Sequence, residues 1–238
     1  MQVTIDKFEE LDYAKREAIN SLQTNISFCG DDNKVILFTS TASNEGKSSI
    51  TMELGRDMAA NEVKVLIIDA DLRNSVLQGR HAVKSNKSSI KGLTHYLSGQ
   101  AKMMDVICST NVPNMDIILA GHTTPKPTEL LRNNYYKELI KYARENYDVV
   151  LIDAPPLGLV IDAAVIAAEA DGAIIVIEAG KCAYKDIVDV KKQLELTGVS
   201  VLGTVINKAP TSGGKYYSKY GKYGKYEKYG KYGKYGEK

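Results

Sequence analysis

The segment Thr39-Ser40-Thr41-Ala42-Ser43-Asn44-Glu45-Gly46-Lys47-Ser48 stands between an aliphatic run, Val35–Phe38, and a segment, Lys47–Ala60, that fits a helix. A strand feeding a loop that opens a helix is the setting of a phosphate-binding P-loop, because the helix's first N–H groups have no partner of their own. Backbone amides around Ser43, Asn44, Glu45, Gly46, Lys47, Ser48 and Ser49 would then wrap the phosphates of ATP. Lys47 would neutralise the β and γ oxygens, and Ser48 would ligate Mg2+. The pattern departs from G-x-x-x-x-G-K-[ST] in one place, since Thr41 stands where the first glycine would be.

Two further aliphatic runs end in carboxylates. Val65–Ile68 delivers Asp69-Ala70-Asp71-Leu72-Arg73, and Val149–Ile152 delivers Asp153-Ala154-Pro155-Pro156. Ligands of open α/β sheets bind at the carboxyl ends of the strands, so Asp69, Asp71 and Asp153 are expected to meet Lys47 there. Such a group suits Mg2+ coordination and removal of a proton from an incoming hydroxyl.

The elements that must position these residues follow from the same pattern. Uninterrupted Val- and Ile-rich runs at Val35–Phe38, Val63–Ile68, Met115–Leu119, Val149–Ile152, Ala173–Ile177 and Val199–Ile206 predict strands buried on both faces. Helices are predicted over Lys47–Ala60, Tyr135–Asn146, Asp162–Glu169 and Tyr184–Thr197. The fold class is α/β, a doubly wound, mostly parallel sheet of the P-loop type. Phe8–Ile26 reads as an amphipathic helix before the first strand, with Leu11, Ala14, Ala18, Leu22 and Ile26 along one face. Asn207 ends the last strand and is a candidate for adenine recognition.

The boundary of this domain is expected near residue 210. Beyond it the chain becomes a Lys-Tyr-Gly repeat, and residues 211–238 are predicted to be disordered, since a segment without aliphatic side chains cannot offset its ordering entropy. The formal net charge of +2 hides an asymmetry. From Lys215 to Lys238 eight lysines face Glu227 and Glu237, a net of +6, so residues 1–214 carry 2 − 6 = −4. The tail holds Tyr216, Tyr217, Tyr220, Tyr223, Tyr226, Tyr229, Tyr232 and Tyr235, the last six spaced by three. Any of them is a candidate phosphoacceptor. Lysine interleaved with tyrosine also suits stacking on single-stranded nucleic acid, which is the alternative reading of the tail; no nucleic-acid partner is expected.

Cys29, Cys108 and Cys182 are odd in number and widely spaced, which fits neither a disulfide framework nor a metal site and points to a reducing compartment. Ala163–Ala179, the most apolar stretch, is interrupted by Glu169, Asp171 and Gly172, so no membrane-spanning segment is predicted.

Taken together, the Gly-Lys-Ser loop, Asp-x-Asp-x-Arg, Asp-x-Pro-Pro, Pro127-Thr128-Glu129-Leu130-Leu131 and the terminal tyrosine cluster resemble the bacterial tyrosine kinases of capsular and exopolysaccharide biosynthesis. The resemblance spans nearly the whole chain. It implies an ATP-dependent protein-tyrosine kinase that phosphorylates its own tail, with Lys47 on phosphate, Ser48, Asp71 and Asp153 around Mg2+, and Asp69 or Asp71 as base. It also implies a separate membrane adaptor as activator, a tyrosine phosphatase, and self-association for phosphorylation in trans. The expected location is the cytoplasm, at the membrane's inner face through a partner. The family's inter-subunit Glu-x-x-Arg-x-x-Arg is represented by Glu17, Asn20 and Gln23, without either arginine. Two other functions compete: a partitioning or cell-division ATPase of the same P-loop branch, which would place a second lysine early in the loop, and a nucleotide-binding regulatory scaffold. Thr39 to Glu45 contains no lysine.

Overall fold

Runs of Val, Ile and Leu with no interposed polar residue leave neither face for water, and they occupy the middle of a sheet covered on both sides. The computed structural model describes residues 1–30, 32–85 and 89–209. In chain order the elements are β1 (Thr4–Ile5), α1 (Tyr13–Phe28), β2 (Val35–Ser40), α2 (Lys47–Ala60), β3 (Val65–Asp69), α3 (Leu77–Arg80), β4 (Val83–Lys84), α4 (Leu93–Leu97) and α5 (Met103–Val106). There follow β5 (Cys108–Ser109), β6 (Met115–Ile118), α6 (Pro127–Leu131), α7 (Asn134–Asn146), β7 (Val149–Asp153), α8 (Asp162–Ala167), β8 (Gly172–Glu178), α9 (Tyr184–Glu195) and β9 (Ser200–Asn207). Met1–Asn207 form one compact unit.

Seven strands make a sheet in the order β5-β6-β3-β7-β2-β8-β9, parallel except for the β5–β6 edge pair. β1 and β4 form a separate antiparallel ribbon. Successive strand residues face opposite sides. Ile36, Phe38, Ile67 and Leu151 pack with Met52, Leu54 and Met58 of α2. Leu37, Leu66, Ile68 and Ile152 pack on the other side with Tyr136, Leu139 and Ile140 of α7 and Ile166 of α8. Fully burying such a side chain contributes about 1.5–3 kcal/mol, which makes these two layers the main stabilisers of the sheet.

The predicted strands and the four long helices appear with ends shifted by a few residues. The amino terminus differs. α1 begins at Tyr13, capped by Asp12, whose carboxylate accepts from Lys15 N–H at 2.8 Å. Residues before it run as a strap: Ile5 N–H donates to Asn111 Oδ1 (2.8 Å) and Glu9 N–H to Glu53 Oε1 (2.8 Å). These long-range partners compete with helical hydrogen bonds and win. Of the expected apolar face only Ile26 is buried, with Leu22 half-buried, while Ala14 and Ala18 are exposed. Among the described residues no helix is long and apolar enough to cross a membrane, and the three cysteines are free thiols. The tail and its eight tyrosines lie outside the described residues.

Candidate active site at the carboxyl edge of the sheet

Because β2, β3, β7 and β8 are parallel, the segments that follow them emerge along one edge. The loop after β2 turns into α2 through Gly46, whose φ of +96° is left-handed, a conformation glycine adopts without strain. A Cβ at this position would lie 2.0 Å from Asn207 Nδ2, so a larger residue here would have to displace the Asn207 amide as well as adopt the left-handed backbone.

Lys47, the first residue of α2, is 8% exposed and donates from Nζ to Ser40 Oγ at 3.0 Å. Burial lowers its proton affinity, and the carboxylates of Asp153, Asp71 and Glu45 oppose that shift. A buried ammonium beside a loop of backbone donors is poised for a polyanion.

The carboxylates differ among themselves. Asp69 and Asp153 end β3 and β7 and are 1% and 2% exposed. Asp69 accepts from the Ser75 hydroxyl and from Asp71 N–H (3.3 Å). Burial, reinforced by the nearby Asp153, pushes its carboxyl well above the usual range. Burial likewise raises Asp153 to about 6, against the pull of Lys47 and a hydrogen bond from Ser48. One Asp153 oxygen, Oδ1, is buried without a hydrogen-bond partner. Asp71 is half-buried, its Oδ1 accepting from Arg73 N–H (3.2 Å) and Asn74 N–H (2.9 Å), which shapes the turn after β3.

Among the residues singled out from the sequence, Ser43, Asn44, Gly46, Lys47, Ser48, Asp71 and Asp153 line one pocket. Asp69 stands behind it, under Ser75. Ser49 accepts from Arg80 Nη1 at 3.2 Å. Glu45 turns its carboxylate away, toward Ala42 and Glu178, and Asn207 Nδ2 donates to the Glu45 carbonyl at 2.9 Å. Glu45 and Asn207 therefore enclose the loop from behind rather than lining the pocket.

The sequence reading missed Arg80, Asn74, Ser75, Val76 and Pro156, which complete the lining. Nothing local marks Arg80; the turn and α3 fold it back toward α2. It also missed the partner of Arg73. The guanidinium grips Asp162, 89 residues away, and Thr128 Oγ1 donates to the same carboxylate at 2.6 Å. That knot, with the Asp162 carboxylate buried at its centre, fastens the turn after β3 to α6 and α8.

Among the described residues no three His, Cys, Asp or Glu side chains converge as a metal cage. Mg2+ needs none, since it usually takes one or two carboxylates and fills its shell with phosphate oxygens and water. The unpartnered Asp153 Oδ1 beside Ser48 fits that requirement, with Asp71 lining the same pocket.

The family model described as an AAA domain matches residues 33–201. The chain is 41% identical over 200 residues to tyrosine-protein kinase CpsD of Streptococcus agalactiae, covering 84% of this chain and 86% of that protein. Its fold resembles the kinase domain of Escherichia coli tyrosine kinase ETK, with a TM-score of 0.74, 30% identity and coverage of 83% and 78%. It also resembles the septum site-determining protein MinD of Pyrococcus horikoshii complexed with Mg-ADP, with a TM-score of 0.63, 27% identity and coverage of 75% and 72%.

Proposed function

This chain belongs to the bacterial tyrosine kinases and is a protein-tyrosine kinase, and we propose that it uses Mg-ATP to phosphorylate the tyrosines of its own carboxyl-terminal repeat. The observation that carries this reading is the gathering of Lys47, Ser48, Asp71 and Asp153 in one pocket with the phosphate loop. In the proposed arrangement the loop amides and Lys47 hold the β- and γ-phosphates. Ser48 and Asp153 are the residues that would hold Mg2+, which would supply neutralisation of charge developing between those phosphates, while Asp71 is kept for the incoming hydroxyl.

The tyrosine oxygen forms a bond to the γ-phosphorus as the bond to the β,γ-bridging oxygen breaks, and ADP leaves. Asp71 receives the phenolic proton. It is favoured over Asp69 because it lines the pocket, whereas Asp69 is occupied by Ser75 and the Asp71 backbone. Asp69 then serves to position Asp71. Eight tyrosines at short spacing in a lysine-rich tail supply acceptors of uniform surroundings. The missing lysine between Thr39 and Glu45, together with this repeat, favours kinase over partitioning ATPase.

We further propose that a membrane adaptor recruits and activates the kinase, that a tyrosine phosphatase reverses it, and that the cycle regulates capsular or exopolysaccharide synthesis and export. Incubating the purified protein with Mg-ATP, with and without the adaptor's cytoplasmic fragment, tests the reading. Phosphotyrosine mapped to the tail, increased by the fragment, is expected. Its absence in both tubes refutes autophosphorylation, and membrane retention in cells lacking any adaptor refutes recruitment.

A further inference from the structure

The phosphate loop lacks a glycine at Thr41, and another device closes it. Glu45, next to Gly46 and two residues before Lys47, is 4% exposed. Its Oε2 accepts from Ala42 N–H at 2.7 Å and its Oε1 from Glu178 N–H at 3.2 Å. The Thr41 hydroxyl points at both oxygens, 3.1 and 3.0 Å away. The Glu45 carbonyl takes a hydrogen bond from Asn207. Glu178 and Asn207 are register partners at the ends of β8 and β9. One residue thus joins the start of the loop to its end, and both to two strands.

A carboxylate is electrostatically out of place here. After Asp153 and Asp71 it is one of the carboxylates that act on Lys47 against the lowering effect of burial, and it stands behind a pocket suited to a polyanion, which it must repel. Its retention needs a compensating gain. We propose that Glu45 is a positioning residue that holds the phosphate loop in its nucleotide-receiving shape before nucleotide arrives, without touching the phosphates. Ordering a loop costs conformational entropy, and a loop ordered on folding no longer charges that cost to binding. The inference rests on the reading of the pocket as an ATP site and adds a role that the lining residues do not reveal.

The two ways in which Glu45 can act have opposite signs. Acting through charge, it weakens nucleotide binding, and neutralising it strengthens binding. Acting as a brace, it needs both oxygens as acceptors, and Glu45→Gln sets an amide N–H against that of Ala42 or Glu178, so binding weakens.

The experiment is calorimetric titration of the full chain with Mg-ADP, together with hydrogen exchange of residues 41–46 without nucleotide. Glu45→Gln is expected to weaken Mg-ADP about tenfold, or about 1.4 kcal/mol, and to speed exchange at Ala42. Thr41→Val is expected to do the same to a lesser degree, and Thr41→Ser to restore wild-type behaviour. Unchanged or tighter Mg-ADP binding by Glu45→Gln, or equal binding by Thr41→Val and wild type, overturns the proposal. Phosphotyrosine is read separately on the wild type, so a chain that binds Mg-ADP but makes none refutes autophosphorylation alone.

Discussion

Asp69 and Asp153 face each other in register across β3 and β7, as the last residues of both strands. Two carboxyls are thereby brought together, almost fully buried, at the edge where Lys47 enters from α2. Neither sits comfortably as an anion without a cation nearby, and this makes the site sensitive to pH and to metal.

The first prediction uses the burial of Asp153. Its carboxyl is raised to about 6 in the folded protein, against about 3.9 in an unfolded chain. Between these values the folded state binds the proton more tightly, so the stabilisation is full below about pH 4 and is lost as pH rises through about 6. In nucleotide-free, metal-free protein this amounts to on the order of 3 kcal/mol. Denaturation midpoints of wild type and Asp153→Asn, measured from pH 4 to 8, should diverge, the variant gaining relative stability as pH rises. Parallel curves contradict the burial argument.

Lys47→Met should leave the fold intact and reduce phosphotyrosine formation about a hundred- to a thousandfold, the usual loss for removal of one group that stabilises transition-state charge. Circular dichroism and a phosphotyrosine assay on the same sample decide it. Wild-type phosphorylation by the variant would remove Lys47 from the site.

Gly158 marks where the loop after β7 touches the phosphate loop. A Cβ there would lie 2.1 Å from the Thr41 carbonyl oxygen, and backbone cannot swing aside as a side chain can. Gly158→Ala should cost about 1–3 kcal/mol and loosen Mg-ADP binding. Chemical denaturation read with a nucleotide titration checks both.

Asp162→Asn removes the charge that Arg73 and Thr128 share. Since the Arg73 side chain is 41% exposed, the loss is set at about 1–2 kcal/mol rather than the full value of a buried pair. The turn bearing Asp71 should loosen, seen as faster hydrogen exchange at Arg73 and Asn74. Protection equal to wild type would show that the knot does not hold the turn.

Eight phosphates at about −1.5 to −2 each would take the tail from +6 to roughly −6 to −10. Attraction to a body of net −4 becomes repulsion. Stepwise Tyr→Phe substitution should lower phosphorylation gradually, with no single tyrosine essential. Light scattering should find smaller assemblies after full phosphorylation; equal mass in both states excludes the switch.

The linear sequence determined the sheet, because aliphatic runs such as Val65–Ile68 have few other ways to bury both faces, and it singled out Lys47, Ser48, Asp71 and Asp153, which line one pocket, because strand ends and helix starts are local features. It could not place Arg80, pair Arg73 with Asp162, or turn Glu45 away from the pocket. Nor could it foresee that residues before Tyr13 run as a strap instead of continuing α1. Those outcomes depend on which distant groups the packed layers bring within hydrogen-bond reach, and a buried polar group takes whatever partner the tertiary structure offers.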